Sequence, residues 1–284
     1  MALKVKNKIK ILVIGSGNIA WHIVSHLSFF KRFEITVYNR TSTAKLKQLQ
    51  KEFKVTITTD WKKINDKTDV FFICTGDSSI KQVALKIKKL KTKGLVLHTS
   101  GTTPLSDLTS AAKNIGVFYP LQTFTFGTSV NWQEVPVFVE ANNKSSFTYL
   151  NNLASLFSKT VVKTNSDTRL KLHLAAVIAG NFSNAMYASA YNYLDKSLNR
   201  SYFKYLSPLI TTTAKKAVFG DPSLVQTGPA ARNDKKTQQK HLMLLKKNPE
   251  LKKTYKALSQ LILKQQKTNV KLQAKAKEGK HIDI

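Results

Sequence analysis

Cysteine is nearly absent. Cys74 is the only one in 284 residues, which excludes a disulfide framework and any zinc site built from several thiolates. Long apolar runs are missing too. The longest stretch of that kind, 172–182, is broken by His173, Gly180 and Asn181, so no segment is long and apolar enough to cross a bilayer as a helix. The opening Met1-Ala-Leu-Lys-Val-Lys-Asn-Lys has no apolar core of the kind that marks a signal peptide, and a cytoplasmic protein with no membrane partner is expected. Arginine is scarce: 41 Lys and 5 Arg face 16 Asp plus Glu, for a formal net charge of +30. Base edges and phosphates are read best by the guanidinium fork. The charge is also spread evenly, +15 on each side of a cut after Thr164. No specific nucleic-acid partner is therefore expected, only salt-sensitive attraction to polyanions. With 42% apolar and 10% aromatic residues, the chain is not disordered and has ample material for a core.

Two textures divide it. Over residues 9–140, short β-rich runs (9–14, 34–38, 55–58, 70–74, 95–98, 117–119, 137–140) alternate with helical stretches (18–30, 43–53, 79–90, 105–113). This βαβ rhythm predicts an α/β, Rossmann-like, doubly wound parallel sheet. A further helix at 146–157 and a strand at 160–163 follow. Beyond Asp167 the periodicity is helical throughout, at 169–194, 203–219, 232–246 and 249–273, and the last ten Lys-rich residues read as frayed. The expected division is a nucleotide-binding domain at 1–164 followed by an all-α domain at 165–284.

The first strand ends in Gly15-Ser16-Gly17-Asn18-Ile19-Ala20, a G-x-G-x-x-A turn opening the first helix. Such a turn brings main-chain N–H groups at a helix N-terminus to a pyrophosphate. An acid at the end of the second strand would bind the ribose hydroxyls of NAD. None is present. Asn39-Arg40-Thr41-Ser42 stands there instead, and Arg40 is suited to fork onto a 2′-phosphate, so NADP(H) is expected over NAD(H). Thr75 and Gly76, after the fourth strand, are expected to line the cofactor. Cys74 reads as a small buried hydrophobe, since nothing beside it in sequence would activate a nucleophile. His98, ending the fifth strand, is either a proton donor in the same crevice or a structural histidine.

On the helix at 169–194, regular α-helical geometry puts His173, Val177, Gly180, Asn181 and Asn184 within about 100° of one another. Either a neighbouring helix or a ligand must satisfy those polar groups. Arg232, before a helix bearing Asp234, Thr237 and His241 on one face, is a candidate clamp for an anionic substrate; a helix cap and a structural ion pair read equally well.

Taken together, Gly15-Ser-Gly-Asn-Ile-Ala, His98-Thr-Ser-Gly, Tyr119-Pro-Leu-Gln-Thr-Phe, His173 through Gly180-Asn-Phe and Thr227-Gly-Pro-Ala-Ala-Arg-Asn-Asp resemble a family with a Rossmann-like domain and a helical domain of unknown function. Its members are described only as NADP- or deazaflavin-dependent oxidoreductases. The sequence is more distantly similar to pyrroline-5-carboxylate reductase and the β-hydroxyacid dehydrogenases. The resemblance implies nicotinamide binding, small-molecule redox chemistry and a homodimer joined through the helices. It leaves nicotinamide and deazaflavin chemistry undivided. Two departures stand out. The Lys–Asn catalytic pair of the β-hydroxyacid dehydrogenases is missing, because Lys171 is followed at the fourth position by Ala175. The family's Arg-Gly-Asp reads Arg232-Asn233-Asp234, which bears on the turn. The resulting expectation is an NADP-dependent reductase of carbonyls or imines. In it His173 or His98 is the acid, Asn181 and Asn184 polarise the substrate, and Arg232 holds its anionic group. The alternative is an NADP-binding sensor or scaffold without turnover.

Overall fold

Strand β1 (Ile9–Ile14) runs through the middle of an eight-stranded sheet. Its side chains alternate between two apolar clusters: Ile11 and Val13 belong to one, Leu12 and Ile14 to the other. A strand buried on both faces needs helices on both, and the chain supplies them. The computed structural model describes residues 8–278, with side chains as far as residue 270. The leader reading of residues 1–7 lies outside these, as do residues 279–284 of the stretch expected to fray.

After β1 come α1 (Asn18–Ser28), β2 (Phe33–Tyr38), α2 (Ala44–Phe53), β3 (Thr56–Thr58), β4 (Val70–Ile73), α3 (Asp77–Lys88), β5 (Leu95–His98), β6 (Asn114–Pro120), β7 (Val137–Ala141), α4 (Lys144–Ala154) and β8 (Val161–Lys163). The strand order is β3-β2-β1-β4-β5-β6-β7-β8. The chain therefore winds outward from β1 in one direction and, from β4, in the other. Adjacent β1 and β4 flank the switch point, where open α/β sheets bind ligands. The expected Rossmann-like sheet is present, with one difference: β7 pairs antiparallel to β6. The link between them holds a single 3-10 turn at Trp132–Glu134 and no α-helix, so the chain turns back along the neighbouring strand.

Helix α1 carries His22 and His26 inward. Their Nε2 atoms lie 2.9 Å from the Thr125 carbonyl and 2.8 Å from that of Leu156. Burial lowers both pKa values, with the carbonyls pulling the other way, so both rings serve as neutral donors holding the 121–136 segment and the end of α4.

Two units separate at Phe182/Ser183. The first extends past Thr164 because Arg169 and His173, on α5 (Ser166–Ala176), are bonded to the loop after β5 and to β6. The region 169–194 is not one regular helix. Residues Val177–Phe182 form a π-helical turn, and α6 (Ser183–Ser197) follows. An i→i+5 turn inserts roughly one residue of rotation, about 100°, so the single polar stripe drawn from uniform α geometry does not run through it. The second unit adds a 3-10 segment at Arg200–Leu206, α7 (Ser207–Val218), α8 (Lys235–Leu244) and α9 (Pro249–Glu278). No helix among the described residues is long and apolar enough to cross a membrane.

Candidate functional site

The turn after β1 is shaped by Gly15. Its φ is +115°, and a Cβ there would stand 2.5 Å from the Cys74 carbonyl oxygen. Gly17 caps α1 in an extended conformation. No side chain caps the helix, no acid sits in its first turn, and the space beside the Gly17 Cα is open. The N–H groups of the first turn are thus left to an anion, where the helix dipole favours negative charge. Ala20, fully buried, lets α1 settle on the sheet, and Ile19 packs partly into the same core. Around this turn the side chains are tied back. Ser16 Oγ lies 3.2 Å from Thr43 Oγ1, the cap of α2, and Asn18 Nδ2 donates to the Phe124 carbonyl at 2.9 Å.

A cleft of about 220 Å³ opens beside it, lined among others by Gly15, Asn39, Arg40, Trp61, Thr75 and Lys86. Asn39 donates to the Thr41 carbonyl at 2.8 Å, which holds the β2 turn. Arg40 and Thr41 are exposed. Trp61 meets Tyr38 edge-on at 5.0 Å, and the Lys86 ammonium lies 5.8 Å from the Trp61 ring. The Thr75 hydroxyl oxygen is buried with no hydrogen-bond partner; a native polar group in that state calls for an explanation. Gly76 caps α3, again without a side-chain cap. Cys74 is buried, and burial pushes its thiol up to about 12, in keeping with the small-hydrophobe reading.

The two histidines differ. His98 is fully buried, its Nδ1 accepts from the Ser100 N–H at 3.2 Å, and burial, seconded by the nearby Arg169 charge, lowers its pKa to about 3. It stays neutral across the physiological range. His173 is half-buried. Its Nδ1 lies 3.0 Å from the Tyr119 hydroxyl, and its ring rests against Gly101. Burial raises the Tyr119 pKa, with Arg169 pulling it down and Asp77 adding to the rise.

Arg169, which the sequence shows only as the start of a helix, organises this corner. Its side chain is fully buried and donates to the carbonyls of Ser100 (2.9 Å) and Thr103 (2.8 Å), to Ser166 Oγ (3.1 Å) and to the Glu140 carboxylate (3.1 Å). Neither Glu140 nor Lys86 carries a sequence signal. A lysine on the polar side of a helix looks like any solvated lysine, and an acid near a strand end shows its partner only after the chain has folded.

The remaining candidates are exposed. Asn181 lies in the π turn, and Asn184 and Arg232 belong to the second unit. None of the three has a side-chain hydrogen bond within the described residues. The Arg232-Asn233-Asp234 turn keeps a glycine-like shape, because Asn233 takes φ +54°, a region asparagine tolerates better than most residues. Asp234 caps α8, accepting from the Thr237 N–H at 3.0 Å and its hydroxyl at 2.7 Å. Those bonds lower its pKa. His241 Nδ1 lies 3.0 Å from the Tyr255 hydroxyl.

Comparison with known proteins places these features in context. Residues 135–262 match the model of a domain of unknown function (DUF2520), and residues 1–96 match that of shikimate / quinate 5-dehydrogenase. A putative NADP oxidoreductase from Bacteroides fragilis is 33% identical, with 91% of this chain and 99% of that one covered and a TM-score of 0.85. A Thermotoga maritima protein, 18% identical over 90% and 99% of the two chains, has a TM-score of 0.72. An imine reductase from Myxococcus stipitatus, solved in complex with NADP+, is 13% identical over 91% and 94%, with a TM-score of 0.61, and shares the fold. None of the curated proteins matches the chain.

Proposed function

Because this chain belongs to the same family as the putative NADP oxidoreductase of Bacteroides fragilis, we propose that it binds NADP(H) at the carboxyl ends of β1, β2 and β4 and moves hydride between that cofactor and a small carbonyl or imine. The observation that carries the reading is the Gly15 turn: a left-handed glycine held against the Cys74 carbonyl, leading into an uncapped helix N-terminus. A diphosphate fits there. The Thr75 hydroxyl, buried without a partner, is a donor awaiting an acceptor, and Arg40 and Lys86 line the cleft as cations for a 2′-phosphate. When bound, the reduced cofactor supplies hydride.

The chain supplies grip, orientation and a proton. His173 gives that proton to the substrate oxygen or nitrogen as hydride reaches carbon, acting as a general acid through a ring N–H. Asn181, in the π turn of the same unit as His173, polarises the carbonyl or imine, and Arg232 is the candidate for holding a substrate anion. His98, kept neutral by burial, remains structural.

The test is NADPH oxidation against a panel of cyclic imines and keto acids, with His173→Ala and Arg232→Ala beside the wild type. Loss of a general acid is expected to lower kcat at least about a hundredfold, and loss of Arg232 to raise KM for anionic substrates. Unchanged turnover in both variants removes these roles. NADPH binding without turnover of any substrate favours a sensor instead.

The same proposal includes assembly of two copies through the helical unit. Its support is the scarcity of buried apolar residues there: only Ala230 and Leu245 are buried among those described, while Leu198, Leu209, Phe219, Leu224, Met243 and Leu244 are each more than half exposed. Exposed apolar surface on this scale is characteristic of an interface. Sedimentation equilibrium at micromolar concentration is expected to return a dimer, and a monomer overturns the proposal.

A further inference from the structure

Two segments of the first unit close on the imidazole of His173, which α5 carries. From β6, the Tyr119 hydroxyl sits 3.0 Å from Nδ1, and the two rings meet edge-on at 6.0 Å. From the loop after β5, the Gly101 backbone presses on the ring, so closely that a Cβ there would stand 2.7 Å from Cγ and 3.0 Å from Cβ of His173. That loop is itself fastened to α5, because Arg169, one helical turn before His173, donates to the carbonyls of Ser100 and Thr103. The ring is thus held in one pose with Nδ1 toward the tyrosine.

We propose that Tyr119 is a positioning residue that sets the tautomer of His173: its O–H donates to Nδ1, so the neutral ring carries its proton on Nε2. The direction of this bond follows from donor accounting. Tyr119 is 8% exposed, and its hydroxyl has no other hydrogen-bond partner among the described residues. Were Nδ1 the protonated nitrogen, the hydroxyl would have to accept, its own proton would have no protein acceptor among the described residues, and the pair would forgo the phenol as donor and the imidazole nitrogen as acceptor. Neutral imidazole has one N–H, so Nε2–H is the donor that His173 offers. The inference deepens the proposed function, since it names the atom through which His173 meets substrate, but its geometry does not depend on the cofactor.

Long-range 1H–15N correlation spectra of the full-length protein, labelled with 15N-histidine and recorded without nucleotide well above the ordinary histidine pKa, read the tautomer directly. His173→Gln identifies the signals. In the wild type, the His173 Nδ1 is expected at the unprotonated position and Nε2 at the protonated one. In Tyr119→Phe, the separation between them is expected to narrow as the Nδ1–H form gains population, while the His22 and His26 signals, from rings held by backbone carbonyls, stay in place. A wild-type Nδ1–H tautomer overturns the proposal, as does a separation that Tyr119→Phe leaves unchanged. Loss of the His22 and His26 signals would mark a variant that has not folded, and the wild-type tautomer then decides alone. Failure of NADPH to bind a protein with the expected tautomer refutes the cofactor reading and leaves this inference standing.

Discussion

Replacing Arg40 by aspartate is expected to weaken NADPH binding about a hundredfold and to leave NADH binding unchanged or stronger. Arg40 follows β2 and lines the cleft that also holds Gly15, Thr75 and Lys86. Charge-assisted hydrogen bonds from a guanidinium contribute about 1.5–3 kcal/mol, and a forked pair to phosphate lies at the strong end of that range. Aspartate removes those bonds and places like charge beside the phosphate, so about 3 kcal/mol, two decades in Kd, is a modest estimate. NADH carries a hydroxyl at the same position, to which a carboxylate can accept a bond. Lys86 lines the same cleft and remains, which is why the loss stops short of abolition. Titration calorimetry with both nucleotides on both proteins gives the answer. A shift in NADPH Kd smaller than about fivefold, or equal shifts for the two nucleotides, would remove Arg40 from the 2′-phosphate site.

The second large effect is on stability. Glu140→Gln is expected to destabilise the sheet unit by about 3–5 kcal/mol, a substantial part of the 5–15 kcal/mol typical of a folded domain. The Arg169 side chain is completely buried and Glu140 is only 13% exposed, so solvent does little to replace the lost charge. The glutamine keeps the shape and an acceptor oxygen but leaves the guanidinium without a counter-charge. The double variant Glu140→Gln/Arg169→Met is expected to recover part of the loss, because the cost lies in the unpaired charge more than in any lost contact. All three tryptophans, Trp21, Trp61 and Trp132, fall within the first unit, so their fluorescence during urea unfolding follows that unit alone. A loss below about 1 kcal/mol would mean that the charge is relieved in some other way.

Much of this architecture is written locally and can be read in order. Ile9–Ile14 is apolar on both faces, so it had to be a covered strand, and a glycine pair directly after it had to be a turn into a helix. The cofactor edge follows from those two facts and from the missing acid after Tyr38. The direction of β7 does not follow, because alternation of side chains reports that a strand exists and says nothing about which way it runs. The π turn escaped for a related reason: spacing arguments assume 3.6 residues per turn, and one wide turn at Val177–Phe182 displaces everything after it. Arg169, Glu140 and Tyr119 were the hardest to foresee as a group. Their meaning lies in contacts spanning tens of residues, Arg169 to Ser100 and Tyr119 to His173 among them, and no window along the chain contains both partners.

Cys74, the single thiol, has a practical consequence. It sits under the phosphate turn, shielded by the sheet, with a pKa of about 12, so only about one molecule in ten thousand is thiolate at pH 8. A maleimide or spin label added under native conditions will therefore pass it by, and a cysteine introduced elsewhere becomes the sole point of attachment. The wild-type chain is in this sense already prepared for spectroscopy: a probe can be placed at a chosen position in either unit without first deleting a native residue.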